Sequence, residues 1–286
     1  MNNSKFLSGL SRRQALGQSG VALITAASSL ATFTPEGAVA QNSHTISSST
    51  SASRTFVLVH GAWHGGWCWK YVAQALQAKG HRVYTPSLTG NAERSHLLSG
   101  SINLDTHITD LVNLFKWEEL ENVCLVAHSY GGWPVAGALE QIHSQVSSLV
   151  LLDAFKPENG QKGMDYASEF SRKSLAEAMA RGEVARKGPG ASAFSIKPSE
   201  YAWIDSKLTL QPNGVALQPI VLSGARERVA KKTYIRVPHY PQPAFDAALA
   251  QCKSSGDWKT FEILDSGHDA MIDQPGKVTE LILASA

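Results

Sequence analysis

The feature that most constrains the fold of this chain is its alternation of short apolar runs with longer amphipathic segments. The runs at 55–59, 122–127 and 146–152 consist mostly of aliphatic residues, which is typical of strands buried on both faces of a parallel sheet. The segment 104–120 carries apolar residues at helical spacing, as an amphipathic helix does. Strands that alternate with helices predict an α/β fold with a mostly parallel central sheet flanked by helices.

The alternation breaks between about 157 and 219, where the sequence is polar and punctuated by Gly and Pro. The sequence predicts two helices in this stretch, at about 165–181 and 199–206. Long connections of this kind inside a domain are commonly functional, so the sequence predicts a helical lid inserted over the sheet. The alternation then resumes with a strand at 233–237, a helix at 244–252, a strand at 258–264 and a last helix after Pro275.

The first residues read as an export signal rather than as part of the fold. Arg12 and Arg13 precede an apolar stretch, and Ala38-Val39-Ala40 follows it, which is the order of regions in a cleaved signal peptide. The paired arginines resemble a twin-arginine signal, with an ordinary Sec signal as the alternative. We predict a signal peptide at 1–40, a flexible linker at 41–54, one domain at 55–286 and a periplasmic location reached through the export machinery.

Charge and cysteine content exclude several classes of function. The formal net charge is +2, and the whole of it lies in residues 1–40. A near-neutral domain has no basic face for nucleic acid. Cys68, Cys124 and Cys252 form no zinc-type spacing, so we predict no metal and treat the cysteines as apolar core residues, with a disulfide left open. Beyond the signal, no segment has the length and hydropathy of a membrane span.

A strand-to-helix junction carries the strongest chemical signal. Ala127-His128-Ser129-Tyr130-Gly131-Gly132 joins the run at 122–127 to a helical segment. This is a G-x-S-x-G-type nucleophile elbow with Ala in the first Gly position. The turn is so sharp that residues two before and two after the serine must be small, and Ala127 and Gly131 meet that requirement. We predict Ser129 as the nucleophile.

Two further loops supply the groups that such a nucleophile needs. The loop after the first strand begins with His60-Gly61, and we expect the N–H groups of Ala62 and Tyr130 to form an oxyanion hole. His268, in Ser266-Gly-His-Asp269, follows the last strand and is the predicted general base.

The acidic partner of this histidine is less clearly marked. The strand after the lid offers no carboxylate before Asp246, whereas Asp153 ends the strand next to the one that bears Ser129. We predict Asp153 as the acid and keep Asp246 as the alternative.

These motifs, together with Phe56-Val-Leu-Val-His-Gly-Ala-Trp-His-Gly-Gly-Trp-Cys-Trp69, resemble the esterase and hydroxynitrile-lyase branch of the α/β hydrolases. The resemblance covers most of 55–286 and is weakest in the lid. The lyases of this branch carry Thr in the oxyanion loop and Lys after the histidine, where this chain has Ala62 and Asp269. The resemblance therefore implies a carboxylesterase rather than a cyanohydrin lyase, and it implies no cofactor.

The sequence thus predicts a serine hydrolase that cleaves an ester of a small apolar or aromatic molecule through an acyl-enzyme, acting as a monomer or dimer. The expected pocket residues are Trp63, His64, Trp133 and Trp203. An amidase or lactonase with the same residues remains open, as do a cofactor-free lyase and a non-catalytic binding protein of the same fold.

Overall fold

The computed structural model describes residues 52–286; the predicted signal peptide and most of the predicted linker lie outside this part of the chain. The strands are β1 (Thr55–Val59), β2 (Arg82–Tyr84), β3 (Val123–His128), β4 (Val146–Leu152), β5 (Ala185–Arg186), β6 (Gln211–Pro212), β7 (Lys231–Arg236) and β8 (Trp258–Glu262). The α-helices are α1 (Lys70–Gln77), α2 (Leu104–Trp117), α3 (Gly132–Ile142), α4 (Glu169–Ala180), α5 (Tyr201–Asp205), α6 (Pro243–Ser255), α7 (Ala270–Asp273) and α8 (Pro275–Ser285).

The central sheet has six strands in the order β2-β1-β3-β4-β7-β8, and every pair in it is parallel. Successive side chains of a strand point to opposite faces, so β1 places Val57 in one core and Leu58 in the other. One core lies against α2 and α3 and the other against α1 and α8. The predicted α/β fold with a mostly parallel sheet flanked by helices is confirmed.

The segment between β4 and β7 contains α4, α5 and the two-residue strands β5 and β6, which pair antiparallel. The helices fall where the sequence places them, whereas the β5–β6 pair is too short to leave a periodic signal. Across residues 52–286, every helix is too short or too polar to cross a lipid bilayer. The three cysteines are buried and unpaired, and burial raises the pKa of Cys124 to about 11 and that of Cys252 to about 12.

Candidate active site

Ser129 stands at the carboxyl end of β3, on the first residue of a short 3-10 helix that leads into α3. Its φ is +51°, a left-handed conformation that residues with a side chain adopt only under local constraint. The constraint is visible at the following glycines. A Cβ at Gly131 would lie 2.8 Å from the carbonyl oxygen of His60, and a Cβ at Gly132 would lie 1.9 Å from that of Phe155. Both positions therefore require glycine, and the spacing rule of the nucleophile elbow predicts this only for Gly131.

Asp153 and His268 come together although they are far apart in sequence. The Nδ1 of His268 lies 2.6 Å from the Oδ2 of Asp153, and both side chains are buried. Asp153 follows β4, directly beside the end of β3, and the N–H of Phe155 donates to the carbonyl oxygen of Ser129 at 3.1 Å. The carboxylate that the sequence favoured is thus the one that holds the ring.

The other carboxylate oxygen of Asp153 is also bound. Its Oδ1 accepts a hydrogen bond from Nη1 of Arg236 at 2.6 Å and from the N–H of Val237 at 3.0 Å. Asp246, the alternative acid, lies on the far side of Arg236, with its Oδ1 2.8 Å from Nη2 and its side chain 62% exposed. The structure therefore places Asp246 away from His268, because the guanidinium of Arg236 separates the two.

The ring of His268 is enclosed by aromatic side chains. Tyr240 stacks on it with ring centroids 4.2 Å apart, and Phe245 lies parallel to it at 5.6 Å. On another side, His128 lies at 4.5 Å between ring centroids and donates from Nε2 to the carbonyl oxygen of His268 at 3.0 Å. With Nδ1 held by Asp153, Nε2 is the ring nitrogen that remains for proton transfer.

A pocket of about 80 Å³ opens at Ser129, which is itself half-buried. Ala62 and Tyr130, whose N–H groups the sequence assigns to an oxyanion hole, both line it, as do Trp63 and Trp133. Tyr130 is the second residue of the 3-10 helix, where backbone N–H groups have no acceptor within the helix. The walls are mainly apolar and aromatic, with Arg186 from β5 as an exception.

Two of the predicted pocket residues lie elsewhere. His64 is buried and does not line the pocket. Trp203 packs against Trp67 and Tyr71, with ring centroids 5.3 and 6.1 Å away. Trp203 is partly buried and packs against the core beside α1. Neither side chain contributes to the lining of the pocket.

His64 instead forms a buried ion pair with Asp269. Its Nδ1 donates to the carbonyl oxygen of Ala62 at 2.8 Å, and its Nε2 lies 3.2 Å from Oδ2 of Asp269. Burial favours the neutral ring, but the charge of Asp269 and the hydrogen bonds outweigh it and raise the pKa of His64. Burial likewise opposes ionisation of Asp269, yet His64 lowers the pKa of that carboxyl to about 2.

Three further histidines near the site are buried and neutral. Burial lowers the pKa of His60 to about 3, that of His107 to about 4 and that of His128 well below its usual value. His60 accepts from the N–H of Leu88 at 2.9 Å. His107 donates to a backbone carbonyl through Nε2 and accepts from the hydroxyl of Tyr130 at 2.9 Å, which fixes the residue that follows Ser129.

The comparisons with known proteins decide the family. The profile of the alpha/beta hydrolase family matches residues 56–281. The chain belongs to the alpha/beta hydrolase family. This alpha/beta hydrolase is 33% identical to the carbendazim hydrolyzing esterase of Nocardioides sp. (strain SG-4G) over 238 residues, which are 80% of this chain and 98% of that protein. It is 30% identical to methylesterase 2 of Arabidopsis thaliana over 152 residues, 49% of this chain and 54% of that protein.

A solved structure of an extracellular alpha/beta-hydrolase from a Paenibacillus species superposes with a TM-score of 0.71 at 22% identity. The match covers 82% of this chain and 99% of that one. The fold predicted from the sequence is confirmed, and so is the prediction of a carboxylesterase-type enzyme.

Proposed function

We propose that this alpha/beta hydrolase is a serine esterase that cleaves a small carboxylic ester through an acyl-enzyme. The observation that carries the proposal is the buried hydrogen bond of 2.6 Å between His268 and Asp153, beside the strained turn of Ser129. A histidine held by a carboxylate at Nδ1 is oriented to take a proton at Nε2 and is stabilised when it becomes charged.

In the proposed first step, the hydroxyl oxygen of Ser129 attacks the ester carbonyl carbon while Nε2 of His268 takes the hydroxyl proton. The tetrahedral intermediate then expels the alcohol, which receives that proton from His268. In the second step, a water molecule gives its proton to His268 and attacks the acyl-enzyme, and Ser129 leaves with the proton. The N–H groups of Ala62 and Tyr130 hold the negative oxygen in both intermediates.

The surroundings of His268 support this assignment of roles. Asp153 accepts hydrogen bonds from two donors, Arg236 and the N–H of Val237. Its carboxylate is therefore already fixed toward the ring of His268 before the reaction begins. Aromatic side chains cover the ring and exclude water from its faces, which strengthens the charge interaction between the imidazolium and the carboxylate.

Hydrolysis of p-nitrophenyl esters by the full chain tests the proposal. The substrates are the series of esters from acetate to octanoate, together with the benzoate. We expect activity in the wild type and a loss of several orders of magnitude in kcat for Ser129→Ala, because only about 10³–10⁴-fold acceleration over water survives without the nucleophile. A fluorophosphonate should label the wild type and not the variant. A folded wild type that neither hydrolyses these esters nor reacts with the fluorophosphonate would contradict the proposal.

A further inference from the structure

Arg186 is a buried cation in the wall of the Ser129 pocket. Its side chain comes from the short strand β5 in the lid and is 7% exposed. The other pocket-lining residues between 52 and 286 are uncharged side chains such as Trp63, Trp133, Gln242 and Phe245. A charged group in such a lining is costly unless it is paired and hydrogen-bonded.

The guanidinium of Arg186 is incompletely bound by the protein. Nη1 donates to the carbonyl oxygen of Pro212 at 3.2 Å, whereas Nε is buried and has no acceptor. Within the described residues, no carboxylate lies within 4.0 Å of this side chain. Burial without a counter-ion lowers the pKa of Arg186 to about 10, still well above neutrality, so the pocket holds a positive charge.

The other buried cations of the site are neutralised. Arg236 is paired with Asp153 at 2.6 Å, and His64 is paired with Asp269 at 3.2 Å. Arg226, which is as buried as Arg186, contacts Glu227 at 2.8 Å. Among residues 52–286, the two other buried arginines, Arg226 and Arg236, therefore have carboxylate partners. Arg186 has none, and it lines the pocket at Ser129.

We propose that Arg186 binds an anionic group, a carboxylate, of the ester substrate, so that the preferred substrates are monoesters that carry a second, acidic function. The inference rests on the proposed esterase function and specifies the substrate class of that same site. An entering carboxylate supplies the missing counter-charge and can accept from Nη2, which has no acceptor among the described residues and, unlike Nε, is not fully buried. Guanidinium groups suit this role because their planar array of donors matches a carboxylate.

Neutral isosteres of two anionic esters provide the test. Monomethyl succinate is compared with methyl levulinate, which has a methyl ketone in place of the carboxylate on the acyl half. Acetoxyacetate is compared with acetoxyacetone, which makes the same replacement on the alcohol half. Hydrolysis is followed by titration of the released acid, for the wild type, Arg186→Gln, Arg186→Lys and the control Lys187→Gln, which removes an exposed neighbouring cation.

We expect the wild type to prefer the anionic member of at least one pair by about 10- to 100-fold in kcat/KM, the range of a charge-assisted hydrogen bond. Arg186→Gln should lower kcat/KM for the anionic member more than for its neutral partner, so that this preference disappears. Arg186→Lys should keep part of the preference, and Lys187→Gln should keep all of it. Thermal melting of each variant separates a lost preference from a lost fold.

Equal kcat/KM for both members of both pairs in the wild type would overturn the inference, and so would a preference that survives in Arg186→Gln. If the neutral esters are hydrolysed in a Ser129-dependent way, the proposed esterase function stands even in that case. If no ester is hydrolysed, the esterase function fails and calorimetry with monomethyl succinate decides the anion site. Binding to the wild type that Arg186→Gln abolishes would support the site, and no binding to the wild type would overturn it.

Discussion

At the scale of single residues, the backbone around the site is bent where the chemistry is proposed to occur. Ser129 and Asp153 both have positive φ, at +51° and +43°, which costs about 1–3 kcal/mol for a residue that is not glycine. Each directly follows a central strand, Ser129 after β3 and Asp153 after β4, and the carboxylate of Asp153 contacts His268. The surrounding packing, including glycines with no room for a methyl group, maintains the strain.

The assignment of Asp153 over Asp246 leads to a direct comparison of two variants. Asp153→Asn should lower kcat by about 10³–10⁴-fold, because an amide at this position no longer holds the imidazole in the required tautomer. Asp246→Asn should change kcat by less than about tenfold, since its carboxylate is exposed and contacts only Arg236. Steady-state kinetics on one p-nitrophenyl ester measures both, and equal losses in the two variants would rule out Asp153 as the specific partner.

At the scale of secondary-structure elements, helix α3 packs so closely against the segment after β4 that no side chain fits at Gly132. A methyl group there meets the carbonyl oxygen of Phe155 at 1.9 Å. Gly132→Ala should therefore lower the free energy of unfolding by at least about 1–3 kcal/mol, the usual cost of overpacking.

Gly276→Ala is the matched control, because a Cβ at that position in α8 meets nothing within 4 Å. It should be neutral, or stabilising by about 0.5–1 kcal/mol. Urea unfolding of both variants checks the pair. A Gly132→Ala protein as stable as the Gly276→Ala protein would show that α3 can shift away from the segment after β4.

The ion pair between His64 and Asp269 joins the loop after β1 to the loop that carries His268. Removing one charge leaves the other buried, so Asp269→Asn should lower the free energy of unfolding by about 3–5 kcal/mol. The raised pKa of His64 means that its contribution is complete below the unfolded value of 6.5 and is lost as the pH rises through the folded value. The lowered pKa of Asp269 means that its contribution is lost only in strong acid, as the pH falls toward about 2.

The difference in unfolding free energy between the wild type and Asp269→Asn should therefore be larger at about pH 5 than at about pH 9. Urea titrations of the two proteins at both pH values provide the measurement. Groups that titrate alike in the wild type and the variant contribute equally to both unfolding free energies, so their effect drops out of the difference at each pH. A difference that stays constant would mean that His64 is neutral in the folded protein.

At the scale of the whole molecule, the parallel sheet brings every proposed catalytic group to one edge. The carboxyl ends of β1, β3, β4 and β8 lead into the loops of Ala62, Ser129, Asp153 and His268, and ligands of open α/β sheets bind at this edge. The lid between β4 and β7 adds Arg186 and holds the N–H of His268 through the carbonyl oxygen of Phe194 at 2.7 Å. A movement of the lid would therefore change both the lining of the pocket and the position of His268, the proposed base.

We also propose that residues 1–40 direct export of the folded protein. Replacing Arg12 and Arg13 by lysine should leave the full-length precursor inside the cell, because the twin-arginine pathway reads the arginine pair and not its charge alone. Fractionation of cells that produce the wild type or the double variant measures the distribution. Unchanged export of the double variant would indicate the ordinary Sec route.

The sequence by itself determined the order of the central strands and their flanking helices, the sharp turn at Ser129 and the loop that carries His268. Each of these depends on neighbours within a few residues: apolar periodicity, small residues around Ser129, and a loop directly after a buried strand. Such local structure can be predicted from the sequence because the backbone conformation of a short segment restricts which residues fit it.

Only the tertiary structure showed that Asp153 rather than Asp246 contacts His268, that His64 pairs with Asp269, that Trp203 packs against the core beside α1, and that Arg186 lines the pocket. These outcomes depend on contacts between residues far apart in sequence, such as the pairing of β5 with β6. The lid elements are too short for periodicity to show which side faces Ser129, so the packing of the whole chain determines which side chains meet there.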